Sequence, residues 1–167
     1  NADLAAASSR HGLYRVALRA VGRLVDRDDG RVSLAEVNGR TFRIVDAVGR
    51  GSEDAIATIG DLGELSEVIA GEILASRSVA VDGIPAIDIA PDGHNRTNTD
   101  VLVVPLVIQA RPAGAIVVST TRPVTRPVRE SIEMLASTLS LALESASLTE
   151  NLHRRRSERR FRALVEN

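Results

Sequence analysis

Cysteine is missing from this 167-residue chain. With it go disulfides, thiolate metal sites, thioether-linked chromophores and cysteine nucleophiles. Lysine is missing too, so all 21 basic residues are arginine, a bias that a GC-rich coding sequence produces without selection for bidentate anion recognition. The only aromatic side chains are Tyr14, Phe42 and Phe161, too few to build the ring-rich lining that grips a large flat cofactor. The formal net charge of -1 gives no reason to expect nucleic acid or anionic lipid as a main partner. The longest apolar run, 101–108, is far too short to span a bilayer, and no signal peptide opens the chain. The expectation is a soluble, cytoplasmic piece without membrane contact. Catalytic signatures are lacking as well. There is no nucleophile-elbow arrangement of Ser, His and Asp, no phosphate-cradling glycine loop and no HExxH, and no spacing converges the two or three ligands a metal needs. No catalytic residue and no metal site is expected.

What is present is organised around 120–167. After Pro127 the sequence contains neither Gly nor Pro, and Val128, Ile132, Leu135, Leu139, Leu143 and Ala146 recur in steps of three and four, which predicts one long helix. A second apolar stripe, Met134, Leu141, Leu148 and Leu152, lies roughly 100° around it. At 1.5 Å per residue the helix is about 58 Å long, more than a domain of this size can cover. The first stripe suits the chain's own sheet and the second a partner copy. Six of the arginines fall in the last fourteen residues, and Phe161, Leu164 and Val165 bring new apolar residues there. The piece reads as an input module of a longer protein, with 151–167 a helical connector.

Earlier in the chain, Asn1 and Ala2 read as a cloning scar, and 1–8 as that scar plus an N-terminal extension. Leu13, Val16, Ala17, Ala20, Val21, Leu24 and Val25 then keep helical spacing, with Ser8 or Ser9 as N-cap and Asp28-Asp29-Gly30 as the stop. Tyr14, Leu18 and Val25 form a side stripe that gives this helix a second apolar face. Asn38-Gly39 between two alternating runs predicts a hairpin over 32–37 and 41–48. Leu62 to Leu74 predicts a single helix ending near Ser76, and 79–81 a short strand. Residues 101–108 and 113–119 are apolar at consecutive positions, as strands covered on both faces are. They are read as the centre of the sheet, joined by a tip at Arg111-Pro112. Pro105 conflicts with that placement, since proline belongs at an edge or a bulge. The element order implies an α+β layer arrangement in 9–150.

Between the last two blocks, 82–100 is long and rich in Asp, Gly, Pro and Asn, with Ile84, Ile87 and Ile89 as its large apolar anchors. Such segments in compact domains are lids, binding loops or disordered. His94, with Asn95 and Arg96, is its most distinctive polar cluster, and the plain alternative is a solvated loop histidine. Asp82, Asp88, Asp92 and Asp100 are also ordinary turn formers. Arg43, on a strand, either pairs an anionic ligand or projects past the sheet edge.

Val101-Leu102-Val103-Val104-Pro105-Leu106 followed by Gly114-Ala115-Ile116-Val117-Val118 resembles the central hairpin of GAF domains, and 134–144 is similar to that family's closing helix. The resemblance covers roughly 9–148. It implies a GAF/PAS-like antiparallel sheet with helices on both faces and long N- and C-terminal helices. It also implies that 82–100 closes over a ligand face, nominating Arg43, Asp82, Ile87, His94 and Arg96 as ligand-binding, with His94 a haem ligand or a pH-sensitive contact. The cofactor stays unknown. The tail, 156–167, resembles the opening of a PAS domain, and the whole looks most like the input region of actinobacterial cyclic-di-GMP enzymes with later GGDEF and EAL domains. A sensor histidine kinase input and a ligand-free dimerisation scaffold are the alternatives. Missing cysteine and lysine set aside the sulfoxide-reductase, bilin-attaching and cyclic-nucleotide variants of the family. The partners expected are a second copy, through Tyr14, Leu18, Met134, Leu141, Leu148 and Leu152, an unknown small molecule, and downstream PAS and output domains.

Overall fold

Alternation in the first strand sets up both faces of the sheet. In the computed structural model, which describes residues 2–25, 30–85 and 98–166 (side chains of 2–8, 65, 82–85 and 98 excepted), β1 (Arg31–Asn38) sends Val32 and Leu34 into one apolar cluster and Val37 into another. It pairs with β2 (Thr41–Gly49) in the predicted hairpin, but Asn38 faces Thr41, so the turn is Gly39-Arg40, one residue later than expected. Of the two turn residues Gly39 takes a positive φ, 61°, the backbone a first turn position of type II′ needs. On its other side β1 pairs with β6 (Arg111–Thr120), β6 with β5 (Asn98–Ile108), and β5 with β4 (Val79–Pro85). A short strand that the sequence reading did not anticipate, β3 (Ile59–Asp61), pairs with β2.

The antiparallel sheet has the order β3-β2-β1-β6-β5-β4. Its centre is therefore β1 and β6, and β5 lies one strand further out than expected. The β5–β6 tip is also not Arg111-Pro112. It is Gln109-Ala110, at φ 52° and 60°, which makes the turn with two left-handed residues that a twisted hairpin favours without the Asn-Gly signature that would announce it.

Helix α1 (Ala2–Leu24) starts earlier than predicted, so Ser8 and Ser9 sit inside it instead of capping it, and 2–8 is helical. After β2 comes a one-turn helix, α2 (Ser52–Ala55), which the reading also missed. The stretch read as one helix ending near Ser76 is two, α3 (Leu62–Leu65) and α4 (Glu67–Leu74). The break is polar chemistry: Asp61 Oδ1 accepts from Gly63 N at 2.7 Å, and Ser66, extended at φ -177°, accepts from Ile69 N at 3.5 Å. Each side chain satisfies helix-start donors and so begins a new helix.

The last helix, α5 (Arg126–Val165), is 40 residues long, about 60 Å. It covers one face together with α1, where Leu18, Val21, Ile132, Ala136, Leu139 and Leu143 pack on Leu34, Leu106, Ile116 and Val118. On the other face Leu62, Ile69, Ala70 and Ile73 lie over Val37, Phe42, Val79, Val103 and Ala115. The chain enters β1 at Arg31, opposite Ser119 near the end of β6, from which α5 starts six residues after Thr120. The end of α1 and the start of α5 thus share one end of the sheet, and the two helices run antiparallel.

Pro105 is accommodated because β4 begins at Val79, opposite Val103. Beyond that point β5 has no strand on its far side among the described residues, and the proline lies on a local edge. In the same stretch Val107 N donates to Ser140 Oγ at 3.1 Å, and that hydroxyl donates to Ala136 O at 2.8 Å. The serine docks α5 on the strand and satisfies a donor the sheet leaves open. Replacing Ser140 by Ala strands the Val107 amide, which costs about 1–3 kcal/mol, reduced by the few tenths of a kcal/mol that alanine returns in helix propensity. Urea unfolding is expected to show a lower midpoint with an unchanged slope.

Candidate functional site

Of the residues nominated for ligand binding, Ile87, His94 and Arg96 lie outside the described residues, as does the side chain of Asp82, whose backbone belongs to β4. Arg43 is described, and the structure does not bring it to the strand ends, Pro85 and Asn98, that flank 86–97. It pairs across β1 with Glu36, which is level with Gly114 and hence with Leu106. Asn98 is eight residues further along β5 and three strands over, on the order of 25 Å away along the strand alone. Arg43 lines a groove against α1.

That site forms where α1 crosses β1 and β2. Glu36 follows Val32 and Leu34 on the face toward α1, a carboxylate in an otherwise apolar row, and this parity was the sequence signal that could have exposed it. Its Oε1 accepts from the Tyr14 hydroxyl at 3.3 Å and its Oε2 from Arg43 Nη2 at 3.5 Å. One turn position along α1, Arg15 Nε lies 3.7 Å from Asp46 Oδ2, while Asp46 Oδ1 accepts from Ala47 N at 2.9 Å. Asp46 sits at a β-bulge: Leu34 faces Asp46 and Ala35 faces Ile44, which leaves Val45 as the extra residue. A bulge re-aims side chains, and here it presents the carboxylate to α1. The helix is tied by polar contacts to two adjacent strands, at positions two residues apart in register.

Around these contacts opens a groove of about 580 Å³, lined by Arg10, His11, Tyr14, Arg43, Ile56 and Glu150. A second, of about 470 Å³, shares Arg10, Tyr14, Glu36 and Arg43 and runs on to Leu143 and Ser147. Both touch α1, the sheet and α5 together. The lining mixes three basic side chains, Arg10, His11 and Arg43, with two carboxylates, Glu36 and Glu150. Among the described residues no group of three or more His, Asp or Glu side chains could hold a metal ion.

The dimer stripe also needs a correction. Tyr14 and Leu18, with Val25, are buried in the chain's own core, at 7%, 1% and 8% exposure. Because α1 packs against the sheet and α5, the stripe of Tyr14, Leu18 and Val25 is internal, and these residues are not available to a partner. Met134, Leu141, Leu148 and Leu152 are 72%, 69%, 51% and 58% exposed, an uncovered row along α5.

No family model matches the chain, and no curated protein matches it in sequence. Solved structures are similar. The blue-light absorbing form of the Thermosynechococcus elongatus PixJ GAF-domain superposes with a TM-score of 0.70 at 20% identity, covering 89% of this chain and 93% of that one. The fold is that of a GAF domain. The GAF domain/HD domain protein of Geobacter sulfurreducens gives 0.67 at 15% identity over 83% of this chain and 94% of that one. The GAF-B domain of DevS from Mycobacterium smegmatis gives 0.65 at 18%, covering 86% and 98%. In this GAF fold, among the described residues, no helix is long and apolar enough to cross a membrane.

The Tyr14 contact has a direct readout, because Tyr14 is the sole tyrosine and there is no tryptophan. Burial first, then the Glu36 charge, push its phenol up to about 12. The folded state therefore holds the proton more tightly than the unfolded chain. The stability it contributes is whole below about pH 10, the unfolded value, and is lost as pH rises through 12. Absorbance at 295 nm is expected to titrate near 12 in the native protein and near 10 in urea. Tyr14→Phe removes the signal and costs about 1 kcal/mol for the lost hydrogen bond.

Proposed function

We propose that this chain is a regulatory GAF module of a bacterial, actinobacterial signalling protein, without catalytic activity of its own. It responds to a small molecule and passes the change along α5, as a homodimer in the cytoplasm, to a following PAS domain and then to an output unit that makes or degrades cyclic-di-GMP. The observation that carries this reading is α5. Its first half completes the core through Ile132, Ala136, Leu139 and Leu143, while everything from Asn151 to Glu166 is exposed and the row from Met134 to Leu152 has nothing over it. A helix serving only its own sheet needs one apolar stripe. The second stripe suits the same helix of another copy on a two-fold axis along α5, which would set two output units side by side. The PixJ and Geobacter proteins support the sensory part of the reading, the first as a blue-light absorbing form and the second by joining GAF and HD domains in one protein.

Burying Met134, Leu141, Leu148 and Leu152 against a partner contributes roughly 1.5–3 kcal/mol for each large side chain fully removed from water. Light scattering is expected to give a dimer mass for the wild type at tens of micromolar. Leu141→Glu with Leu148→Glu is expected to give a monomer mass with unchanged circular dichroism. A monomeric wild type, or a double variant that unfolds instead of dissociating, would overturn the dimer reading, and turnover of GTP, cyclic-di-GMP or ATP by this chain would overturn the non-catalytic one.

A further inference from the structure

Two backbone irregularities meet at one wall of the groove beside Tyr14. The first is the β2 bulge, which adds Val45 opposite β1. The second is the turn after α2, where Ile56 is at φ -64° and ψ 138°, Ala57 at φ 71°, and Thr58 N donates to Ala55 O at 3.2 Å. That is the backbone of a type II turn, whose third residue is ordinarily glycine because its φ is positive. Here it is alanine, and β2 holds the turn from both sides: Ala57 N donates to Ile44 O and Ile44 N to Thr58 O, each at 2.9 Å. Bulges and left-handed residues other than glycine gather where a chain shapes a ligand wall. Val45, Ile56 and Ala57 all line this groove.

The charges in the lining say what kind of molecule fits. The volume of about 580 Å³ falls in the range of small-molecule sites, roughly 300–1,000 Å³. Arg10 and Arg43 line both this groove and the neighbouring one. Nη2 of Arg43 is turned to Glu36, which leaves its other N–H donors for a ligand, and Arg10 has no ion pair among the described residues. Glu150 brings a carboxylate from α5 that is likewise without an ion pair among the described residues. Two guanidiniums thus stand with two carboxylates, Glu36 and Glu150. A polyanion would meet both carboxylates and a polycation both guanidiniums, whereas a molecule with one charge of each sign finds a partner for both. A guanidinium fork matches a planar carboxylate, and the residues of the bulge and the turn offer apolar surface beside it.

We propose that this groove binds an α-amino acid with an apolar side chain: Arg10 and Arg43 take its carboxylate, Glu150 its ammonium, and Val45 and Ile56 its hydrocarbon part. This deepens, and rests on, the reading of the chain as a small-molecule sensor. It needs no residue of the dimer stripe. Glu150 is the last residue of α5 that is not exposed, so a ligand held between it and β2 ties the root of the projecting part of α5 to the sheet.

The test reads the emission of Tyr14, the sole tyrosine in a chain without tryptophan, whose hydroxyl lies in this groove on Glu36. The probes are L-leucine, 4-methylpentanoate, which has the same body with the carboxylate alone, and 3-methylbutylamine, which has it with the ammonium alone. L-leucine is expected to change the emission saturably at millimolar concentration and to raise the thermal midpoint followed by circular dichroism, since a ligand that binds only the folded state stabilises it. Each half-charged probe is expected to bind on the order of tenfold more weakly or worse. Glu150→Gln keeps the shape and removes the charge, so it is expected to weaken L-leucine by a similar factor and leave 4-methylpentanoate unchanged. Arg10→Met is expected to weaken L-leucine and 4-methylpentanoate and leave 3-methylbutylamine unchanged. No saturable response to L-leucine, equal affinity for all three probes, or an unchanged L-leucine affinity in either variant each overturn the proposal. If a variant loses its native circular dichroism, the comparison of the three probes on the wild-type protein decides alone. Dimerisation by light scattering with no L-leucine response would remove this ligand and leave the module reading standing.

Discussion

Everything on one side of the sheet depends on α5 keeping Ile132, Ala136, Leu139 and Leu143 in contact with Leu34, Leu106, Ile116 and Val118. Each such side chain is stabilised by roughly 1.5–3 kcal/mol when removed from water. The helix that supplies them is far longer than the strands it crosses, and α1 runs antiparallel beside it over the same strands. The helix pair and the sheet therefore form one packed body, and packed bodies shift between discrete arrangements more readily than they bend. With no Gly or Pro after Pro127, α5 lacks the usual points of kinking. A change at the sheet reaches the far end of α5 only as a movement of the whole helix.

Polar groups decide where that movement would couple. Tyr14 and Arg15 tie α1 to Glu36 on β1 and Asp46 on β2, and Ser140 ties α5 to β5. Asp46 and Ser140 are buried and answered, as buried polar groups in folded proteins are. Among the described residues the Arg31 Nε is the exception, and strand alternation puts it on the opposite face. One face of the sheet is thus tied by hydrogen bonds to two helices.

Much of the architecture was legible before any coordinates. The 3.6-residue periodicity of 128–146, the hairpin around Gly39 and the paired apolar runs 101–108 and 113–119 reported helix and strands, because burial selects residues by face and face follows period. The stripe from Met134 to Leu152 was read as facing a second copy, and within this chain those side chains are exposed. What escaped were short elements governed by single side chains and turns: α2 and β3 are too brief to carry a period, the α3–α4 break lies at Ser66, and Gln109-Ala110 adopts a turn without its usual residues.

By itself, then, the sequence determined the element types, the α+β class and the existence of two apolar stripes on the final helix, since these follow from local propensity and from which side chains avoid water. Tertiary structure alone decided which helix faces are internal. Tyr14 and Leu18 look like a free stripe in isolation and are core in the fold, and only the sheet order sets Arg43 a long way from Asn98 and beside α1. Arg31 carried no signal at all in one dimension. The burial of its Nε without a described hydrogen-bond partner follows from strand parity and from neighbours that only folding assembles.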